Sequence, residues 1–207
     1  MPKKKIKKTI KKWKQYSKIS NVGSITRRYF VMNAFDGALT MLGVIIGAFV
    51  AGQLESRIII TAALAGSIAM GASGMSGAYM TEKAERKKKL KKLERAMLKD
   101  MKDTVHGKSH RFASFYAAVV DGVSPAIAAL FVVSPFFLSN FKIIENDFAF
   151  YLSIGFTLGL LTILGIYLAK ISDESMVRYG IQMLFVGLIT AFICIGTSIL
   201  LGGSVPA

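Results

Sequence analysis

A single cysteine, Cys194, stands in the 207 residues, so a disulfide within the chain is excluded. Acidic side chains are scarce: 12 Asp and Glu are set against 27 Lys and Arg, a formal net charge of +15. No apolar segment closely follows the lysine run from Lys3 to Lys18, and no small-residue cleavage site succeeds it, so no cleavable signal peptide is expected. Polar faces, which a soluble core of this size would alternate with apolar ones, are missing from the hydrophobic stretches. What is there is a chain 53% hydrophobic yet strongly basic, with charge and apolar residues kept apart.

The apolar residues fall in five nearly uncharged stretches: Tyr29 to Gly52, Ile58 to Met80, Phe112 to Leu138, Phe148 to Ala169 and Tyr179 to Gly203. Each reaches the ~20 residues that an α-helix needs to cross ~30 Å of hydrocarbon. A helix also satisfies its own backbone hydrogen bonds, as lipid demands. If the N-terminus is cytosolic, 25 of the 27 basic residues lie inside and only Arg57 and Lys142 outside, which is a strong positive-inside pattern. The sequence thus predicts an all-α, integral, multi-pass membrane protein of five transmembrane helices. Its N-terminus is cytosolic and its C-terminus outside, in the cell membrane if the source is prokaryotic.

Along the chain, residues 1–28 read as a basic cytosolic arm. Residues 29–80 hold transmembrane helices one and two, 81–111 a basic cytosolic helical linker, and 112–207 helices three to five. The arm fits an electrostatic anchor to anionic membrane lipids, with Trp13 and Tyr16 at headgroup level, rather than a nucleic-acid partner. Helix two is expected to extend into the cytosol, because Thr81 to Lys102 lacks Gly and Pro and is rich in strong helix formers. Leu90, Leu93, Met97 and Met101 give that extension one apolar stripe. Gly107 and Ser109 are expected to break the run before helix three.

Two apolar stretches each contain one acid, Asp36 and Asp121. A carboxylate near a helix centre costs ~2.5–3.5 kcal/mol on insertion scales, and such residues usually face an interior or a wet cavity. Their contexts match: Phe35-Asp36-Gly37 with Thr40 in helix one, and Val120-Asp121-Gly122 with Ser124 in helix three, a faint internal repeat of the kind that frames transport sites. Both acids lie roughly 10–14 Å into the bilayer, at ~1.5 Å per residue, on parallel helices. Two carboxylates at one level would hold a proton unless a cation replaced it, which is the basis of exchanging metal for protons. Asn33, Asp36, Thr40, Gly43 and Gly47 share one face of helix one; Ser114, Ala118, Asp121, Pro125 and Ala128 share one face of helix three. Such small or polar faces either pack closely or leave a passage. Pro125 also releases the carbonyl of Asp121 as a ligand.

Helix two is dense in small residues between Gly66 and Ala78, with Met70 and Met75 among them. Thioether sulfur favours borderline and soft metals over magnesium or calcium, although methionine is also an ordinary packing residue. In the basic linker, Asp103, His106 and His110 fall at helical spacing, and with Glu82 and Glu85 they form a weak cytosolic set of metal ligands. Gly155 and Gly159 suggest close packing of helix four, at a dimer seam or internally.

On Phe35-Asp36-Gly37-Ala38-Leu39-Thr40, Gly74 to Glu85 and Asp121-Gly122-Val123-Ser124-Pro125, the chain from about Tyr29 onward resembles the vacuolar iron transporter family. The resemblance implies a five-helix fold, a homodimer, and export of Fe²⁺, often Mn²⁺ as well, from the cytosol in exchange for protons. It implies no permanently bound cofactor, the metal ion and protons being the substrates. It also implies that Asp36 and a helix-two methionine line the pathway. Two departures stand out. Gly74 occupies the position where the family usually has that methionine, leaving Met70 (one turn earlier, on the same face) or Met75 (the next residue) as substitutes. The glutamate-rich metal-collecting domain of plant members is replaced here by the lysine-rich linker.

Two other readings compete. A membrane scaffold anchored through the basic arm would leave Asp36 and Asp121 without a role. An intramembrane aspartyl protease would use the two acids as a dyad, but its Gly-x-Gly-Asp motif is replaced by Ala118-Val119-Val120-Asp121.

Overall fold

The computed structural model of the chain describes residues 13, 16, 17, 19, 20, 22–101 and 104–203. Among the described residues five helices can be bounded: α1 (Val22–Val50), α2 (Ser56–Met97), α3 (Val105–Asn140), α4 (Asn146–Ser172) and α5 (Met176–Leu200). All five are long and apolar enough to cross a membrane, and the described residues contain no strand. α2 runs for 42 residues, continuing past its apolar part because nothing between Thr81 and Met97 disfavours helix.

The break expected at Gly107 and Ser109 is not there. Both residues lie inside α3 and are buried. Thr104 opens that helix, its hydroxyl oxygen accepting the Gly107 amide at 3.4 Å, the position an N-cap serves. The Ser109 hydroxyl donates to the Tyr16 carbonyl at 3.0 Å. A small residue is needed there because another segment packs on it, so a pattern that reads locally as a loop is a helix packing face.

Each helix ends in the same way. The chain leaves through a left-handed residue, at Gly52, Leu98, Lys142, Asp173 and Gly202 in turn. The following amide reaches back into the last turn: Gln53 to Ala48 (2.9 Å), Lys99 to Glu94 (3.3 Å), Ile143 to Leu138 (3.1 Å), Glu174 to Ala169 (3.0 Å) and Gly203 to Ser198 (3.1 Å). This closure satisfies carbonyls that a helix end would otherwise leave open.

The chain divides into two compact units, Met1–Phe30 with Gly71–Val123, and Val31–Met70 with Ser124–Ala207. The second unit contains the main apolar core, built from Met41, Leu42, Ile45 and Ile46 of α1, Ile59 of α2, Val132, Val133 and Phe136 of α3, and Leu161 and Leu164 of α4. At one end of this unit Asn146 Oδ1 accepts hydrogen bonds from Ser56 (2.6 Å) and Ser139 (2.5 Å), tying together the ends of three helices. α4 and α5 cross closely where a Cβ on Gly165 would lie 2.6 Å from the Tyr179 carbonyl oxygen. Gly155 and Gly159 meet nothing within 4 Å in this chain, so close internal packing of α4 falls at Gly165 instead.

The first unit has a more polar interior. Ala78, Glu82 and Arg86 form the buried face of the α2 extension, while Leu93 and Met97 of the anticipated apolar stripe are exposed. The reason is a set of polar partners: Glu82 accepts from the Tyr29 hydroxyl (3.2 Å) and from Arg86 Nε (2.9 Å), and Arg86 Nη1 donates to the Ser20 carbonyl (3.5 Å). Met101, the last member of the stripe, is buried beyond the helix end. Trp13 and Tyr16 set their rings against Phe112, at centroid distances of 5.8 and 6.1 Å.

Candidate functional site

The two membrane acids have different surroundings. In the first unit, Asp121 is 7% exposed and faces Gly74 of α2. A Cβ placed on Gly74 would lie 2.8 Å from Asp121 Oδ2 and 3.4 Å from its carbonyl oxygen. Glycine at 74 therefore makes room for the carboxylate, which gives the missing methionine a steric counterpart. The neighbouring Gly122 packs on α2 as well: its Cβ would meet the Gly71 carbonyl oxygen at 2.5 Å and Met75 Cβ at 3.0 Å. Met75 itself is exposed.

In the second unit, α1 buries Ala34, Ala38, Met41, Leu42, Ile45 and Ile46. Its other face carries Asn33, partly buried, and Asp36 and Thr40, both exposed in the single chain. Gly43 and Gly47 continue this face, and Gly47 meets nothing within 4 Å. Gly37 points the other way: a Cβ there would lie 2.3 Å from the Pro125 carbonyl oxygen. Met70 packs against the apolar core of this unit.

The repeated Asp-Gly pair thus has a physical basis. In each copy the glycine is where one helix backbone lies directly against another, Gly37 on Pro125 and Gly122 on Gly71. The acid one residue earlier is carried on an adjoining face of the same helix, ~100° away. The local pattern was visible in the sequence; the packing role of its glycines was not.

The polar residues beyond Met80 have cationic partners. Glu82 is held by Arg86, and Glu85 approaches Lys89 Nζ at 3.9 Å on the exposed side. His106 is exposed and His110 partly buried, four residues apart on α3. Asp103 lies outside the described residues. Among the described residues no three His, Cys, Asp or Glu side chains gather in a way that could hold a metal ion. The Tyr29–Glu82–Arg86 cluster was missed at the sequence level; the i,i+4 spacing of Glu82 and Arg86 was the available signal.

Five membrane-length helices, with a lone carboxylate in each of two apolar segments, define an integral, multi-pass membrane protein. The sequence profile of the VIT family matches residues 27–108 and 88–198. An uncharacterized protein of Methanocaldococcus jannaschii is 36% identical over 176 residues, covering 83% of this chain and 88% of the relative. The chain belongs to the VIT family, the vacuolar iron transporters, which are membrane transporters of metal ions.

Proposed function

We propose that the chain carries Fe²⁺, and Mn²⁺ as a second cargo, out of the cytosol in exchange for protons, and that it works as a homodimer. The observation that carries this reading is the α1 face bearing Asn33, Asp36 and Thr40, a polar face on an otherwise apolar helix that is left accessible in the single chain. A carboxylate turned to hydrocarbon costs ~2.5–3.5 kcal/mol, so a second copy laid over this face relieves the penalty and creates a polar passage. Within it, Asp36 is neutralised either by the metal ion or by a proton, and that alternation couples the two fluxes. Of the two methionines of α2, Met75 is the one left open to a soft metal ion, being exposed beside Gly122 whereas Met70 is packed into the apolar core.

The test is metal uptake into proteoliposomes that enclose a pH-sensitive dye. Fe²⁺ and Mn²⁺ should each drive proton movement in the opposite direction, and Mg²⁺ should not. A scaffold without transport activity would move neither metal nor protons. Native mass spectrometry of the same preparation should give the mass of two chains.

A further inference from the structure

In the first unit, one face of the α2 extension and the first turns of α3 enclose a cavity of about 440 Å³, within the ~300–1,000 Å³ usual for small-molecule sites. Its charged residues are mostly cationic, set among apolar stems and rings. Lys83, Arg86, Lys87 and Lys91 come from α2 and Arg111 from α3, against one acid, Glu94. Glu94 Oε1 already accepts the Met101 amide at 3.1 Å. Helical spacing produces this concentration, because positions 83, 87 and 91 are successive i,i+4 steps along one face.

A second observation points to a ligand. Arg86 is 5% exposed; its Nε and Nη1 are engaged by Glu82 and by the Ser20 carbonyl. Its Nη2 is enclosed and has no hydrogen-bond partner among the described residues. The same is true of His110 Nδ1, and both side chains line the cavity. Buried polar atoms are ordinarily satisfied, and a guanidinium edge beside several ammonium groups matches the planar, multi-acceptor geometry of a phosphate. The lining gives a divalent cation little to bind, because its charges would repel it.

We propose that this cavity binds a phosphate-bearing anion, held by Lys83, Lys87, Lys91 and Arg111, with Arg86 and His110 as its buried partners. The phosphate comes from one of two sources, the headgroup of an anionic phospholipid or a soluble phosphate compound. Leu90 and Tyr79 in the same lining also offer apolar surface to the glycerol end of a lipid. The proposal does not depend on the transport reading.

The test uses the full chain in two arms. In neutral detergent, inorganic phosphate is titrated and the unfolding temperature followed. In phosphatidylcholine nanodiscs containing phosphatidic acid, retained lipid is counted by native mass spectrometry. Lys87→Gln/Lys91→Gln removes two cavity charges, and Lys88→Gln/Lys92→Gln removes two charges from the same helix outside the cavity. Saturable binding is expected in at least one arm, weakened about tenfold or more in the first double variant and unchanged in the second. Arg86→Lys, which keeps a charge opposite Glu82 but loses the guanidinium edge, should weaken it comparably. A response to lipid alone assigns the phosphate to a headgroup; a response to inorganic phosphate assigns it to a soluble ligand. Absence of saturable binding in both arms, or equal loss in the two double variants, overturns the proposal.

Discussion

Glu82–Arg86 and Glu85–Lys89 are both i,i+4 ion pairs on one helix, three residues apart, yet they differ physically. The first is buried at 2.9 Å and the second exposed at 3.9 Å. Removing one partner of a buried pair strands the other charge, a loss of about 3–5 kcal/mol, whereas exposed pairs contribute about 0–1 kcal/mol. Glu82→Gln is therefore expected to lower unfolding stability by about 3 kcal/mol and Glu85→Gln by less than about 0.5 kcal/mol, measured by denaturant titration in detergent micelles. The glycines separate in the same way. Gly37→Ala and Gly122→Ala force a methyl group onto backbone atoms 2.3 and 2.5 Å away and should each cost about 2–3 kcal/mol. Gly196→Ala, which meets nothing within 4 Å, should be neutral or stabilising by up to about 1 kcal/mol. At this scale the sequence displayed Asp36, Asp121 and the glycines beside them, because a charge inside an apolar run is conspicuous. It did not distinguish Glu82 from Glu85, since spacing is a property of one helix and burial depends on what packs against it.

Helices were legible where the cause is local. The apolar stretches and the uninterrupted run after Met80 appear as α1 to α5, with α2 extended as expected. The connection between α2 and α3 was misplaced because Gly107 and Ser109 are small for packing reasons, while α2 ends on a left-handed leucine and not on a glycine. Leu98 is the clearest case: it adopts φ 49° while 94% exposed. A left-handed conformation costs an L-residue about 1–2 kcal/mol, and glycine is the usual occupant of that position after a helix. Leu98→Gly should accordingly raise stability by about 1 kcal/mol, seen as a higher unfolding midpoint; an unchanged or lower midpoint would show that Leu98 makes compensating contacts. The apolar stripe on the α2 extension failed for a related reason. Two polar groups, Tyr29 and the Ser20 carbonyl, draw Glu82 and Arg86 inward, and the helix turns its charged face to them.

For the whole molecule, segregation of charge from apolar residues was enough to define a five-span membrane protein, and membership of the VIT family agrees with that architecture. The division into two compact units was not visible, because it cuts α1, α2 and α3 partway along their lengths at positions with no change of composition. The accessible polar face of α1 sets the question for the assembly, since a chain that exposes Asp36 along a membrane helix has to cover it. The most direct measurement is metal-driven proton movement in proteoliposomes containing Asp36→Asn, alongside wild type of equal fold and reconstitution. The account predicts that the variant inserts and dimerises normally but neither takes up Fe²⁺ nor moves protons. Wild-type rates of both fluxes from Asp36→Asn would contradict it.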